Sequence, residues 1–320
     1  MAPLVIHFVI PAQAGIQFTW FMSTTTAPAF ENSRAAPPRR ALRLFDHVLA
    51  ALPTVWLTLF FLAPLAFTVV YSFGHADFAG VTLGFTLDNY RQALTGFYLQ
   101  AFLRTLQFAA TGCVLCLAVA YPAAYFIARH AGHLRNLALG LVLVPYFTSF
   151  LIRVMSWQIL LSRGGAAEAV LNTLHLHAGP LDVMDTQTAV FIGMVYAYLP
   201  IAIVPIYLVL LRIPTRLVEA SRDLGAAPWQ TFLNVTLPLS RPGIATAALL
   251  TGVPMLGELV IPTLLGGGRG VLMGQALSSQ YLDSQNYALG SAMAVLVLIA
   301  VALIVALLAR LTRGFAEIAA

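Results

Sequence analysis

The sequence contains no lysine: all 17 basic residues are arginine. That absence excludes a Walker A phosphate loop, a Schiff-base lysine and any other lysine-dependent chemistry within the chain. If ATP drives this protein, another subunit must bind it. Charge of either sign is scarce. Only 9% of the 320 residues are charged, against about a quarter in a soluble domain. With 60% hydrophobic residues and a mean hydropathy of +0.85, the chain reads as an integral membrane protein. Its net charge of +5 is therefore a matter of topology, and no nucleic-acid partner is expected. The two cysteines, Cys113 and Cys116, are too few for a disulfide framework. Inside an apolar run they read as small buried hydrophobes rather than as a redox or metal pair. His175 and His177 lack the acidic or cysteine company that a three- or four-ligand site needs, so no metal is expected. Neither HExxH nor GxSxG occurs, which weighs against an intramembrane protease or lipid transferase.

What is present is apolar length. Six segments, at about 48–73, 105–128, 136–162, 187–211, 244–265 and 287–309, each match or exceed the roughly 20 residues that cross a bilayer. None contains histidine. The expected fold is all-α and polytopic, with six transmembrane helices over 48–310 and a short tail at 311–320. Arginine placement orients it. Arg34, Arg39, Arg40, Arg43, Arg129, Arg135, Arg212, Arg216, Arg222, Arg241, Arg310 and Arg313 fall on one side; Arg91, Arg104, Arg163 and Arg269 fall on the other. The positive-inside rule puts the richer side, and both termini, in the cytoplasm. The external loops are then about 74–104, 163–186 and 266–286. Asp88 is expected to cap a short helix in the first, and GGGRG at 266–270 makes the third flexible.

Residues 1–47 do not read as a span. The apolar stretch 4–22 is interrupted by His7, Pro11, Gln13, Gly15 and Gln17 and lacks the basic start of a signal peptide. VIPAQAGIQ resembles peptides produced by mistaken translation of a common bacterial repeat, so Met22 is the expected natural start and 1–21 an untranslated extension. The rest of the segment, Pro-rich and basic, reads as a disordered cytoplasmic arm.

The polar interval 212–243 separates the fourth and fifth spans on the cytoplasmic side. Pro214 opens a helix with Leu217, Ala220 and Leu224 at helical spacing; Gly225 follows where a helix end needs a left-handed residue. Pro228 opens a second turn, which Pro238 is expected to close. The apolar stripe of such a loop needs a partner, either the membrane surface or another protein.

Prolines 64, 122, 145, 200, 205, 254 and 262 interrupt the spans and suit a bundle that rearranges around a path. Two charges lie inside spans, Arg153 and Glu258, 17 residues past Asn136 and 14 past Ile244. At ~1.5 Å per residue both sit in the outer half. Either they form an ion pair, or Glu258 lines the path and attracts a cation. Aromatic residues near those depths, Tyr146, Phe147, Phe150, Trp157, Tyr196 and Tyr198, offer cation–π faces but also fit an ordinary membrane interface.

In the 214–243 loop, Glu219-Ala220-Ser221, three residues, Gly225, nine residues and Val235-Thr236-Leu237-Pro238 resemble the EAA loop of ABC-importer permeases, with Ser221 and Val235 as conservative departures. The resemblance covers roughly 45–310. Through PYFTSFLIRVMSW, IGMVYAYLPIAIVPIY and GELVIPTLLGG it is closest to putrescine/spermidine permease subunits; related branches carry sulfate, molybdate, iron or opines. It implies a bacterial inner-membrane subunit of a type I importer, without catalytic residues of its own. It also implies a second permease, two ATPase subunits that bind ATP and Mg, and an external solute-binding protein. The ATPase would dock on the loop through Glu219, Ala220, Ser221, Gly225, Val235, Leu237 and Pro238. Glu258, Tyr146, Trp157, Tyr196 and Tyr198 would line a polycation path. A secondary transporter is disfavoured by the lack of a detectable internal repeat.

Overall fold

A computed structural model of the chain describes residues 39–77, 80–175, 180–268 and 270–316. The expected arm up to residue 38, the start at Met22, His177, Arg269 and the tail from 317 lie outside them. From Arg39 onward the arm is not disordered but helical. RRALRLFDHVLAAL is built almost wholly of strong helix formers and holds no glycine or proline. The chain divides into two compact units, Met1–Trp56 and Leu57–Ala320. The described part of the first is the start of helix α1, Arg39–Ser72.

After α1 comes a short antiparallel hairpin, β1 His75–Asp77 with β2 Gly80–Thr82, pairing His75 with Thr82. Helix α2 covers Asp88–Ala93. Asp88 does not cap it. It is the first helical residue, and the Thr86 hydroxyl takes its N–H at 3.1 Å while donating to its carboxylate at 2.9 Å. Helices α3 (Gly96–Arg129), α4 (Arg135–Leu143), α5 (Phe150–Leu161), α6 (Ala166–Thr173) and α7 (Gln187–Arg212) follow. Next are α8 (Thr215–Asp223), α9 (Pro228–Thr231), α10 (Leu237–Leu256), α11 (Val260–Leu265), α12 (Met273–Leu282) and α13 (Tyr287–Ala316).

Two of the six expected spans are not continuous helices. Among the described residues four continuous helices are long and apolar enough to cross a membrane: Pro53–Ser72, Gly96–Arg129, Gln187–Arg212 and Tyr287–Arg310. The third expected span, 136–162, is broken. A 3-10 turn at Val144–Phe147 and extended residues Thr148 and Ser149 separate α4 from α5, which lie at 96°. Pro145 lacks the N–H that would continue the ladder. The fifth, 244–265, starts earlier, at Leu237, and breaks at Gly257-Glu258-Leu259 between α10 and α11.

The core is where α3, α7 and α10 meet. Buried small residues recur every fourth position on each: Cys116, Ala120, Ala124 and Ala128 on α3; Ala189, Gly193 and Ala197 on α7; Gly243, Ala247 and Thr251 on α10. Small side chains let helix backbones approach closely, which drives association where lipid is as apolar as the side chains. By contrast α1 turns Phe60, Phe61 and Leu62 outward, and α13 Leu298, Ile299 and Leu303.

Candidate functional site

Two places hold the residues singled out above: the loop from Pro214 to Pro238 and the break at Glu258. In the loop, Pro214 is the N-cap of α8 rather than its first residue. The helix ends in a Schellman motif. Gly225 has φ +86; its N–H bonds Arg222 O at 2.8 Å and that of Ala226 bonds Ser221 O at 3.2 Å. Pro228 opens α9, and the Gln230 side chain accepts the Ala227 N–H at 2.9 Å. Pro238, expected to close this turn, does not. From Pro228 to Leu256 the backbone stays helical, because a π-helical turn at Phe232–Thr236, which contains Val235, widens the ladder ahead of it. A wider turn relieves the clash that a proline ring makes with the carbonyl four residues back. Leu237 and Pro238 therefore begin α10.

Glu219 and Ala220 are exposed on α8. So are Leu217, Trp229, Leu233 and, at 90%, Leu224. An apolar side chain at a helix end with that exposure has no partner within its own chain. Ser221 is half-buried, as are Val235, Leu237 and Pro238. Its hydroxyl meets that of Thr231 at 3.1 Å, tying α8 to α9 across the glycine turn. Behind the loop, α3 holds it through three contacts that sequence reasoning missed. Arg129 Nη2 donates to Ile213 O at 3.0 Å, Tyr121 shares a 2.9 Å bond with Ser240, and Phe232 meets the rings of Tyr121 and Tyr125. A tyrosine pair at i, i+4 just before a helix end was the available signal.

At the second place, the Glu258 carboxylate is 7% exposed. Its Oε1 accepts the N–H groups of Val260 and Ile261 at 2.9 and 3.2 Å, capping α11; Oε2 accepts the Tyr198 hydroxyl at 2.6 Å. Three donors at a helix start stabilise a buried carboxylate without a cation. Gly274 of α12 lets this strand of backbone lie close, since a Cβ there would sit 2.8 Å from Glu258 O.

The ion pair expected between Arg153 and Glu258 is not formed. Arg153 is 8% exposed; its guanidinium carbon lies 5.1 Å from the Tyr146 ring centroid and 5.8 Å from that of Phe150, and its Nε has no hydrogen-bond partner. The carboxylate is already satisfied by two backbone N–H groups and the Tyr198 hydroxyl, and the guanidinium lies on aromatic faces instead. The five expected path residues thus fall into three groups: Tyr198 with Glu258, Trp157 edge-on to Tyr196 at 5.3 Å, and Tyr146 beneath Arg153. Among the described residues, no group of three or more His, Cys, Asp or Glu is placed to hold a metal.

The family described as binding-protein-dependent transport system inner membrane component matches residues 120–316, more than half of the chain. The chain belongs to this family. As an inner membrane component it is a transport protein, not an enzyme. It is similar to the spermidine/putrescine transport system permease protein PotB of Salmonella typhimurium (strain SL1344), with 34% identity over 270 residues, 84% of this chain and 94% of that one. PotB of Escherichia coli (strain K12) is 35% identical over 259 residues, 81% and 94% of the two chains. Among solved structures, the bacterial alginate ABC transporter in complex with an alginate pentasaccharide-bound periplasmic protein matches with a TM-score of 0.68 at 17% identity, covering 86% of this inner membrane component and 96% of that chain.

Proposed function

We propose that this permease imports polyamines, putrescine and spermidine in particular, as one subunit of an ATP-driven importer. The observation that carries the substrate is the pairing of a buried carboxylate with a tyrosine at a broken helix, Glu258 with Tyr198. A buried carboxylate is the anion an alkylammonium ion needs, and an ammonium group reaching Oε2 takes the place of the Tyr198 hydroxyl. The two PotB relatives, named for spermidine and putrescine, support the same reading.

In this reading a second permease completes the path. Two ATPase subunits bind ATP and Mg, and one of them docks on the exposed Leu217, Leu224 and Trp229 with Glu219 beside them. The loop and both termini are cytoplasmic, and a solute-binding protein docks on the opposite face. ATP binding opens the path outward and hydrolysis resets it, so ligands at both faces bias one equilibrium. The test is direct. The binding protein encoded beside this permease is titrated with putrescine and spermidine, and uptake of both is measured in cells lacking other polyamine importers. Binding and uptake are expected for at least one of them. No affinity for either would defeat the substrate and leave the permease role standing.

A further inference from the structure

The π-helical turn at Phe232–Thr236 sits where the exposed loop becomes α10. Phe232 projects from its first position, edge-on to two rings of α3. The centroid of Tyr121 is 5.8 Å away at 81°, and that of Tyr125 is 5.8 Å away at 89°. Both are T-shaped contacts, the geometry in which a ring edge meets a ring face most favourably. On one side of Phe232, Thr231 is buried and bonded to Ser221, so α8 and α9 move as one piece. On the other side, Ser240 is fully buried and bonded to the Tyr121 hydroxyl. Displacement of α8 therefore reaches α3 through Phe232, beside the Arg129–Ile213 and Tyr121–Ser240 bonds that also tie α3 to this region. The turn that Phe232 begins widens the ladder of the 228–256 helix ahead of Pro238, and such turns mark sites where a helix can change register or bend.

We infer that Phe232, clasped by Tyr121 and Tyr125, is the joint that transmits movement of the 214–238 loop to α3, and so a positioning residue for coupling. The inference rests on the docking role proposed above for the loop. It concerns how force leaves that loop, not how the ATPase finds it. The ring contacts hold α3 to the loop laterally, while the π turn lets α10 follow at a different angle. A rigid α-helical junction would drive α10 alone.

The experiment uses the complete importer reconstituted in liposomes, with this chain and its operon partners. ATP hydrolysed per solute imported is measured alongside the amount of ATPase that co-purifies. Phe232→Ala is expected to keep the ATPase bound and hydrolysing while import per ATP falls roughly tenfold, as loss of two aromatic pairs implies. Phe232→Leu, which keeps volume without a ring, should show the same loss and serves if the alanine variant fails to accumulate. Phe232→Tyr should restore coupling. Tyr125→Leu should act like Phe232→Ala, and the two together should be little worse than either alone. A wild-type ratio in Phe232→Ala and Phe232→Leu overturns the proposal, as do strictly multiplicative effects of Phe232 and Tyr125. Loss of the ATPase from Phe232→Ala also overturns it, because the residue would then belong to the docking surface. Failure of the docking role is read separately: Glu219→Lys would retain both ATPase and uptake.

Discussion

Three donors converge on the buried Glu258 carboxylate, and none of the three is a cation. That makes two roles separable by substitution. Glu258→Gln retains an oxygen for the Val260 and Ile261 N–H groups, so normal membrane levels are expected. Without the charge, half-saturation for polyamine uptake should rise at least about tenfold. Glu258→Ala removes the cap as well, at a cost of about 1–2 kcal/mol, and should also lower the amount of protein. Exchanging the charges, Arg153→Glu with Glu258→Arg, is not expected to restore uptake, since the two do not pair. Recovery in that uptake assay would show that they pair during the cycle. Gly225 is a simpler case. At φ +86 an alanine is strained by roughly 1–2 kcal/mol, and proline cannot adopt the conformation at all. Gly225→Pro should abolish uptake while leaving the protein inserted, checked by membrane immunoblot beside transport. Gly225 was readable in advance because only one residue type suits a left-handed helix end. The partner of Glu258 was not, because Tyr198 and the α11 N–H groups are brought to it by tertiary structure.

Among the elements, apolar length located the four continuous spans but not the breaks in the stretches 136–162 and 244–265. The run 136–162 hides a 96° bend because hydropathy counts side chains, while the break is made by backbone: Pro145, then Thr148 and Ser149 in extended conformation. Pro238 misled in the opposite sense. Read as a stop, it sits inside a helix whose π turn absorbs it. Asp88 does not cap α2; its own N–H is taken by the Thr86 hydroxyl, two residues earlier. The spacing of the loop motif survived these errors, since it depends on the count of residues and not on where helices end. The α10–α11 break has a checkable dependence on α12. Gly274→Val would force a side chain against the Glu258 carbonyl, 2.8 Å from the new Cβ. A cost of about 1–3 kcal/mol is expected, measurable as a lower melting temperature in detergent, whereas Gly140→Ala, where no atom lies nearby and the backbone is helical, provides the control.

For the whole molecule, the arginine asymmetry makes a prediction that labelling can check. With the positive-inside orientation, Asp223→Cys should react with an impermeant maleimide only from the cytoplasmic side and Leu174→Cys only from outside. Both positions are exposed. The opposite pattern would invert the assembly proposed here and put the loop beyond reach of an ATPase. The bond between Tyr198 and Glu258 also imposes an order on biogenesis. A ribosome delivers Tyr198 60 residues before its acceptor, so the donor is synthesised ahead of the carboxylate, which lipid cannot solvate. Synthesised in the reverse direction, the same sequence would have to hold a bare charge in the bilayer until its donor appeared.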